Sequence, residues 1–500
     1  NGRQTLNNKK ERIIDILNGE LYNYKEIREE LSKKGYVFKT NSDAEVVIPC
    51  YQEFGLSFVD KLKGMFVIAI MDNSKKELVL IRDRFGIKPI YYNINKNGFV
   101  FSSEFKQIKN YSKKKISERG LSDYLRFGYL IGENSIYTDV KKLPPSTILV
   151  LNCLNLEWTM HKYWNIKDKV NYEFTESQLI EKVDYLFSNS VKEHMQSDVP
   201  IGAFLSGGVD SSLVVSRMIQ HSGSRIKTFS LGFESQDFNE LSSARLIANT
   251  FNTEHYEYTL YDNSTEYFDQ IVNVFDEPFA DSSALPTYYI SKMASEHVKV
   301  ILTGDGGDEI FAGYNNYFKY LKYRNLLGVC PKKLRIVLGN AYRIFPKHSD
   351  VRRLFYLMSQ GHLNPIVSNG IFNSDELNGV LLNNKSIGNL RNNNSKVEIY
   401  KKHPNLEFIT ECQLVDIETY LTNDILHKVD MCSMAASIET RVPFLDHELV
   451  EFAFTIPTEV KIKNLIPKYI LKRILENKLP SEIVNAKKKG LAIKIDKRFR

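Results

Sequence analysis

The 500-residue sequence has few cysteines and no long apolar run. Because no run reaches the length of a membrane-spanning helix and the first residues lack a signal-peptide pattern, we expect a cytoplasmic protein with no membrane partner. Its five cysteines are an odd number without C-x-x-C spacing, which argues against a disulfide framework and a zinc site. The net charge of +7 comes without a basic stripe, so we predict no nucleic-acid partner.

The first third of the chain predicts an α+β domain with layered sheets. Short alternating or apolar strands occur from residue 1 to about 164, and helical patterns lie at 24–34 and 43–54. The polar stretch 165–175 is typical of a linker and is followed by a helical pattern. We therefore predict one domain over 1–165 and a second over 176–500.

The second region alternates strand and helix patterns from residue 201 to 302. Such alternation predicts a parallel sheet with helices on both faces and ligands at the carboxyl ends of its strands. Beyond Tyr317 the patterns are mostly helical, and the Asn-rich stretch 383–394 is predicted to be an exposed loop.

The segment Ser206-Gly207-Gly208-Val209-Asp210-Ser211-Ser212 lies between a strand pattern and a helix pattern. Free N–H groups at the start of a helix favour phosphate, and paired glycines allow close approach. Asp210 would repel phosphate unless a divalent cation lies between them, which implies Mg²⁺. The segment lacks the lysine of the G-x-x-x-x-G-K-[ST] motif, so transfer of a terminal phosphoryl group is disfavoured. The alternative is a simple Gly/Ser turn.

A second cluster, Thr303-Gly304-Asp305-Gly306-Gly307-Asp308-Glu309, follows the strand pattern at 298–302. At the same sheet edge, Asp308 and Asp210 would share Mg²⁺ through carboxylate oxygens. The alternative is a Gly-rich turn that exposes surface acids.

Together with other motifs, these clusters resemble the glutamine-dependent asparagine synthetases, whose synthetase half is a PP-loop ATP pyrophosphatase. The further motifs are Asn18-Gly19-Glu20-Leu21-Tyr22-Asn23, Ser42-Asp43-Ala44-Glu45, Gly64-Met65-Phe66, Arg82-Asp83-Arg84-Phe85-Gly86-Ile87-Lys88-Pro89, Ser103-Glu104-Phe105-Lys106, Asp276-Glu277-Pro278-Phe279-Ala280-Asp281-Ser282-Ser283 and Glu439-Thr440-Arg441-Val442-Pro443-Phe444-Leu445-Asp446. The resemblance implies an N-terminal-nucleophile-type layered αββα domain, then a PP-loop α/β parallel-sheet domain with a largely helical C-terminal part.

In the first domain, the resemblance implies a glutamine site. Asn18 and Gly19 would stabilise the oxyanion, and these two residues with Glu20 and Asp43 would bind glutamine. Read alone, Asn-Gly is typical of a hairpin turn and Asp43 of a helix N-cap. The family's nucleophile, a cysteine directly after the initiator methionine, has no counterpart here, so we expect that the true start is missing and that the chain as written does not hydrolyse glutamine. Cys50 is expected to be a buried apolar residue.

In the second domain, the resemblance implies an ATP site. Leu205 and Leu231 would contact the adenosine, and Asp305 matches an acidic residue linked to formation of the intermediate. Lys468 matches a lysine that neutralises developing charge; read alone, it would be solvated. The residues expected to flank the phosphates are Ser206, Gly207, Gly208, Asp210, Ser211, Thr303 and Gly304.

For the acceptor, the resemblance implies a pocket near Glu439 and Arg441. Arg441 would bind a carboxylate bidentately or, as the alternative, form a structural ion pair with Glu439 or Asp446.

We predict ATP-dependent amidation of a carboxylate through an acyl-adenylate, with release of AMP and pyrophosphate. Aspartate is the preferred acceptor, and glutamine supplies the ammonia. The alternatives are an amidotransferase acting on a sugar acid, a PP-loop protein that modifies tRNA, and an inactive regulatory homologue. The predicted partners are small-molecule substrates, and a homodimer is left open.

Overall fold

The fold is described from a computed structural model of the chain. The described residues are 5–8, 13–96, 98–166, 170, 173–234, 240–261, 266–328, 330–346, 349–359, 370–372, 377, 394–404 and 406–486. The predicted loop at 383–394 lies outside these residues, apart from Asn394.

The N-terminal part contains two antiparallel sheets. The larger has the order β1-β2-β3-β4-β8-β9 and the smaller the order β6-β5-β7. The strands are β1 (Thr5–Asn8), β2 (Ile13–Leu21), β3 (Gly64–Asp72), β4 (Glu77–Arg82), β5 (Tyr91–Asn95), β6 (Gly98–Ser102), β7 (Lys141–Lys142), β8 (Thr147–Asn152) and β9 (Trp158–Lys162).

Strand β3 explains the layering, because its side chains alternate between two cores. Phe66 and Ile68 pack with helices α1 (Tyr24–Lys33) and α2 (Val47–Phe54). Val67 and Ala69 face the smaller sheet and pack with its residues. Helix α3 (Phe105–Ile108) then packs on the other side of that sheet. The predicted αββα layering is confirmed.

The C-terminal part contains a five-stranded sheet in the order β12-β11-β10-β13-β14, and every neighbouring pair is parallel. Helices cover both faces through two separate cores. The sequence patterns did not identify β14. The strands are β10 (Ile201–Phe204), β11 (Lys227–Phe233), β12 (Glu254–Leu260), β13 (Val300–Leu302) and β14 (Glu439–Arg441).

The rest of the described chain is mainly helical, as predicted beyond Tyr317. The remaining α-helices are α4 (Glu118–Phe127), α5 (Glu176–His194), α6 (Val209–His221), α7 (Leu241–Thr250), α8 (Glu266–Val274), α9 (Ala284–Ala294), α10 (Gly307–Ile310), α11 (Asn315–Gly328), α12 (Lys332–Gly339), α13 (Asp350–Ser359), α14 (Ser395–Tyr400), α15 (Phe408–Asp416), α16 (Leu426–Ala435), α17 (His447–Thr455), α18 (Thr458–Lys461), α19 (Tyr469–Leu475) and α20 (Ser481–Val484). A π-helix, Ile417–Ile425, joins α15 to α16. None of the described helices is both long and apolar enough to cross a membrane.

The two parts share a packed interface. Tyr22 and Met65 belong to the same core cluster as residues of the parallel-sheet region. The buried Lys88 ammonium lies 2.8 Å from the Asp430 carboxylate, and Thr422 Oγ1 donates to the Phe85 carbonyl at 3.1 Å. Separating the two parts would leave buried charges without their partners, which is costly. The N-terminal sheets are therefore held in a defined position against the parallel sheet.

Candidate functional site

The first Gly/Ser loop lies where β10 ends and α6 begins. Gly208 is the N-cap of α6 in an extended conformation, without a side-chain cap. Hydroxyl groups hold the loop: the Ser206 and Ser211 Oγ atoms are 2.9 Å apart, and the Ser206 amide donates to Ser211 Oγ at 3.1 Å. A pre-formed loop with amides at a helix N-terminus suits an anionic phosphate.

The second loop lies directly beside the first. A Cβ added to Gly304 would come within 2.8 Å of the Ser211 amide nitrogen, and one added to Gly307 would come within 2.7 Å of Asp210 Oδ1. Glycine is therefore required for the two loops to pack this closely. The predicted pairing of these loops at the carboxyl ends of β10 and β13 agrees with the parallel register of these two strands.

Lys468 joins the two loops. Its Nζ atom forms ion pairs with Asp210 Oδ2 and, at 2.7 Å, with Asp308 Oδ1. It is 7% exposed and precedes α19 in the left-handed conformation. Burial alone would lower the pKa of Lys468, but the two carboxylates raise it above its usual value. The ammonium is thus charged and fixed at the loop junction.

The Thr303 hydroxyl is a buried polar group of this cleft. Thr303 is 3% exposed, and its Oγ1 atom has no hydrogen-bond partner among the described residues. Its backbone amide donates to the Arg441 carbonyl at 2.9 Å. A buried hydroxyl left in this state is suited to a bound ligand oxygen. Leu205, directly after β10, and Leu231, within the neighbouring strand β11, are the predicted adenosine contacts, and both are buried.

Asp305, in the second loop, interacts electrostatically with Lys428, which belongs to another group of charged residues. Asp305 is half-buried. Burial lowers the pKa of Lys428, but the charges of Asp281 and Asp424 and, to a smaller extent, that of Asp305 raise it above its usual value. The Lys428 ammonium is 2.5 Å from Asp281 Oδ2 and 2.7 Å from Ser283 Oγ. In the sequence, Asp281 and Ser283 stand out only as part of the 276–283 motif, and no pattern points to Lys428.

Asn18 and Gly19 lie inside β2, opposite Val67 and Phe66 of β3, and not in a hairpin turn. The hairpin alternative is therefore wrong, because the strand continues through both residues. Asn18 Nδ2 donates to Ser103 Oγ at 3.0 Å. Gly19 has φ +134°, and a Cβ there would meet the Met65 carbonyl oxygen at 2.0 Å, so only glycine fits.

Asp43 lies beside the end of β2, where its Oδ2 atom accepts a hydrogen bond from the Leu21 amide at 3.0 Å. Ser42, and not Asp43, is the N-cap of the following 3₁₀-helix, because the Ser42 side chain accepts from the Ala44 amide. The N-cap alternative for Asp43 is therefore wrong. Burial raises the pKa of Asp43 above its usual value.

Arg441 is buried, and its guanidinium contacts four oxygen atoms of the protein. Nε donates to Glu439 Oε1 at 2.7 Å, and Nη1 donates to the carbonyls of His194 and Gln196 at 3.0 and 2.6 Å. Nη2 lies 3.2 Å from Glu20 Oε2. This geometry matches the ion-pair alternative with Glu439; Asp446 instead caps α17 through the Leu449 amide.

Cys50 is buried within α2, and burial raises the pKa of its thiol to about 12. Its predicted role as a buried apolar residue is confirmed, since such a thiol is not ionised near neutral pH.

Comparisons with known proteins agree with this architecture. A family profile described as "Asparagine synthase" matches residues 182–500, and one described as "Glutamine amidotransferase domain" matches residues 1–164. Asparagine synthetase [glutamine-hydrolyzing] 1 of Bacillus subtilis is 34% identical over 502 residues, covering 99% of this chain and 78% of the relative.

Two further relatives carry similar names. A putative asparagine synthetase [glutamine-hydrolyzing] of Mycobacterium tuberculosis H37Rv is 30% identical over 503 residues, which cover 97% of this chain and 75% of the relative. The putative asparagine synthetase [glutamine-hydrolyzing] 2 of Methanocaldococcus jannaschii is 36% identical over 361 residues, 71% of this chain and 68% of the relative.

Proposed function

The chain belongs to the asparagine synthase family, and on that premise we propose that it converts aspartate to asparagine through an aspartyl-adenylate. The family assignment makes it an ATP-dependent, glutamine-hydrolysing carbon–nitrogen ligase. The identity of the acceptor, the division into domains at 1–165 and 176–500 and the role of each residue are parts of the proposal. The relatives described above carry asparagine synthetase names, and none of them favours the sugar-acid or tRNA alternative.

One observation carries this proposal: Lys468 lies between Asp210 and Asp308 at the junction of the two loops. A triphosphate placed over the N-terminus of α6 would bring its charges next to this ammonium. Ser206, Gly207, Gly208 and Ser211 would then line the phosphates from the first loop, and Thr303 and Gly304 from the second. Leu205 and Leu231 would contact the adenosine.

The residues at this junction also fit Mg²⁺ bound with the nucleotide. No group of three or more metal-binding side chains occurs within the described ranges, and the carboxylates that the described residues bring to this junction are Asp210 and Asp308. Mg²⁺ is commonly held by one or two carboxylates together with substrate phosphates and water. When bound, the ion would neutralise phosphate charge and orient the leaving pyrophosphate.

In the proposed reaction an aspartate carboxylate oxygen attacks the α-phosphorus of ATP. The bond from that phosphorus to the bridging oxygen breaks, and pyrophosphate leaves with the electron pair. Lys468 stabilises the negative charge that develops on the phosphates. Asp305, on the same loop as Thr303, would face the forming adenylate. Ammonia then attacks the acyl carbon, loses a proton and displaces AMP.

The residues near the end of β2 would bind the glutamine that supplies the ammonia, although the nucleophilic cysteine of the family has no counterpart in these 500 residues. The backbone amide of Gly19 and the side-chain amide of Asn18 are suited to stabilise an oxyanion. Glu20 and Asp43 place two carboxylates beside them for the glutamine ammonium. Glu20 forms an ion pair with Arg441 of the parallel sheet. The glutamine site therefore lies close to that sheet, which supports a short route for ammonia between the two.

The test is a pyrophosphate-release assay with ATP, Mg²⁺ and ammonium, repeated with aspartate, with a uronic acid and with no acceptor. We expect release that depends on aspartate, with AMP in equal amount. An Asp210→Asn enzyme controls for contaminating activity and should be inactive. Release with the uronic acid but not with aspartate would replace the proposed acceptor.

A further inference from the structure

The helices that follow the second loop concentrate the positive charge of the chain. From α11 to α13, residues 315–359 contain ten lysines and arginines and a single aspartate. The whole chain has 67 lysines and arginines and 60 aspartates and glutamates, so the remainder of the chain carries slightly more acidic than basic residues. Because apolar residues separate the cations, they form no continuous basic run in the sequence.

Helix α12, within this basic segment, packs on its neighbours by one face only. Arg335 and Gly339, one turn apart, are its buried residues, and a Cβ added to Gly339 would lie within 2.2 Å of the backbone of α13. Leu334, Val337 and Leu338 lie at spacings of three and four residues and are between 45% and 67% exposed. A helix normally turns such an apolar stripe toward a core. Here the stripe faces outward.

The chain after α12 extends the same surface. The 3₁₀-helix Asn340–Ile344 packs against both α12 and α13, and Ile344 is 81% exposed. The guanidinium carbons of Arg343 and Arg352 lie 5.7 and 5.6 Å from the centroid of the buried Tyr342 ring, so two cationic groups share one aromatic ring beside Ile344. The basic apolar surface is the name used below for Lys332, Lys333, Leu334, Val337, Leu338, Arg343 and Ile344.

Two ammonium groups lie at the start of the stripe. Lys332 and Lys333 form the first turn of α12, and both are exposed. Neither forms an ion pair with a residue in the described part of the chain. Cations beside exposed aliphatic side chains are the pattern of a helix that lies in the head-group region of an anionic bilayer. There the cations meet lipid phosphates, and the aliphatic groups leave water.

Charge and residue type favour lipid over two other occupants of this surface. Nucleic acid would neutralise the cations, but its bases stack on aromatic side chains, and the stripe on α12 is aliphatic. A second copy of the chain would present the same positive charge and would be repelled. Anionic lipid satisfies the cations and the aliphatic stripe together.

We propose that the basic apolar surface docks the protein on anionic lipid at the surface of a bilayer. Docking of this kind needs no membrane-spanning helix, and none of the described helices is of that type. The proposal departs from the expectation of no basic stripe and no membrane partner, because the exposure of α12 becomes visible only in the structure. It does not depend on the acceptor or on the chemistry proposed above.

The experiment is sedimentation of the full chain with vesicles in the absence of substrates. Vesicles made of equal amounts of phosphatidylcholine and phosphatidylglycerol are compared with vesicles of phosphatidylcholine alone. We expect binding to the anionic vesicles only, and weaker binding as the salt concentration rises. Since each lysine near an anionic surface contributes about fivefold to binding, the double variant Lys332→Gln/Lys333→Gln should bind about 25-fold more weakly. Val337→Asp should weaken binding by about tenfold or more.

Matched controls change similar residues elsewhere. Lys25→Gln/Lys33→Gln replaces two exposed lysines of α1, and Val272→Asp replaces an exposed valine of α8. Both should bind within about twofold of the wild-type protein. No binding, equal binding to both kinds of vesicle, or wild-type binding by either surface variant would overturn the proposal. An RNA oligonucleotide that binds more tightly than the vesicles, or a dimer that is lost in Val337→Asp, would overturn it in favour of that partner.

Discussion

Glu20 of the N-terminal sheet and Arg441 at the end of β14 form an ion pair, with 3.2 Å between Glu20 Oε2 and Arg441 Nη2. The backbone carbonyl of the same arginine accepts a hydrogen bond from the backbone amide of Thr303 in the second loop. A residue proposed to bind glutamine is therefore joined through one residue, Arg441, to the loop proposed to bind ATP. The two predicted sites meet at Arg441.

Replacing Arg441 should destabilise the whole protein. In Arg441→Met, Glu20, Glu439 and two carbonyls lose their donor, and removing one partner of a buried pair costs about 3–5 kcal/mol. Denaturant unfolding measures this loss in the free energy of unfolding. Arg473→Met is the control, because Arg473 pairs with Glu476 at the surface and should cost less than about 1 kcal/mol. Equal effects of the two changes would contradict the account.

Asp15 should make stability depend on pH. It is fully buried in β2, neither carboxyl oxygen has a hydrogen-bond partner in the described part of the chain, and burial raises its pKa to about 7. Since the folded-state pKa lies above the unfolded value, the stabilisation is complete below about pH 4 and is lost as the pH rises through about 7.

Asp15→Leu should remove this slope and raise the free energy of unfolding at pH 8 by about 2–4 kcal/mol, following about 1.4 kcal/mol for each unit of pKa. Unfolding curves from pH 4 to pH 8 provide the measurement. Asp60→Leu, at an exposed carboxylate, should leave the slope unchanged. An identical slope in wild type and Asp15→Leu would show that Asp15 is ionised in the fold.

Lys468→Met should greatly slow pyrophosphate release. The change removes the cation between Asp210 and Asp308, and loss of one group that stabilises transition-state charge typically lowers kcat by about 10²–10³-fold. Steady-state kinetics with ATP and aspartate measure it. Lys463→Met tests a nearby surface lysine that pairs with Glu176, and its kcat should not change. A Lys468→Met enzyme with near-normal kcat would exclude the proposed role of Lys468.

Gly313→Ala should reduce activity by displacing Asp308 and Lys468 without removing either side chain. A Cβ at Gly313 would lie 2.1 Å from Asp308 Oδ1 and 2.1 Å from Lys468 Cε, so both side chains must move. We expect kcat to fall by about 100-fold, the cost of a displacement near 1 Å at a catalytic group. Gly223→Ala is the control, because nothing lies within 4 Å of its added Cβ. Full activity in Gly313→Ala would mean that the Asp308–Lys468 pair is not required.

Local patterns predicted much of the fold and the first loop. The strand, the paired glycines and the helix around Gly208 are contiguous in sequence, and the layered sheets follow from short strands with few helices between them. Strand β14 has only three residues, which is too short to show a periodic pattern in the sequence. It is recognised as a strand only through its pairing with β13 in the structure.

Patterns in the sequence could not predict which side chains form ion pairs in the site. Lys468 is 258 residues from Asp210, and Lys428 is 147 residues from Asp281. No spacing rule relates charges so distant in sequence, because their contact depends on how the helices after residue 408 pack against the sheet. Arg441 illustrates the same limit: its motif indicated importance, while its partner Glu20 lies in the other part of the molecule.

The most direct test of the central claim is an isotope-transfer measurement with aspartate whose β-carboxylate carries ¹⁸O, together with ATP, Mg²⁺ and ammonium. If the carboxylate attacks the α-phosphorus, the oxygen leaves with the nucleotide, and mass spectrometry should find one ¹⁸O atom in each AMP. Label in inorganic phosphate with ADP as the nucleotide product, or AMP without label, would contradict an acyl-adenylate formed at the Asp210–Lys468–Asp308 junction.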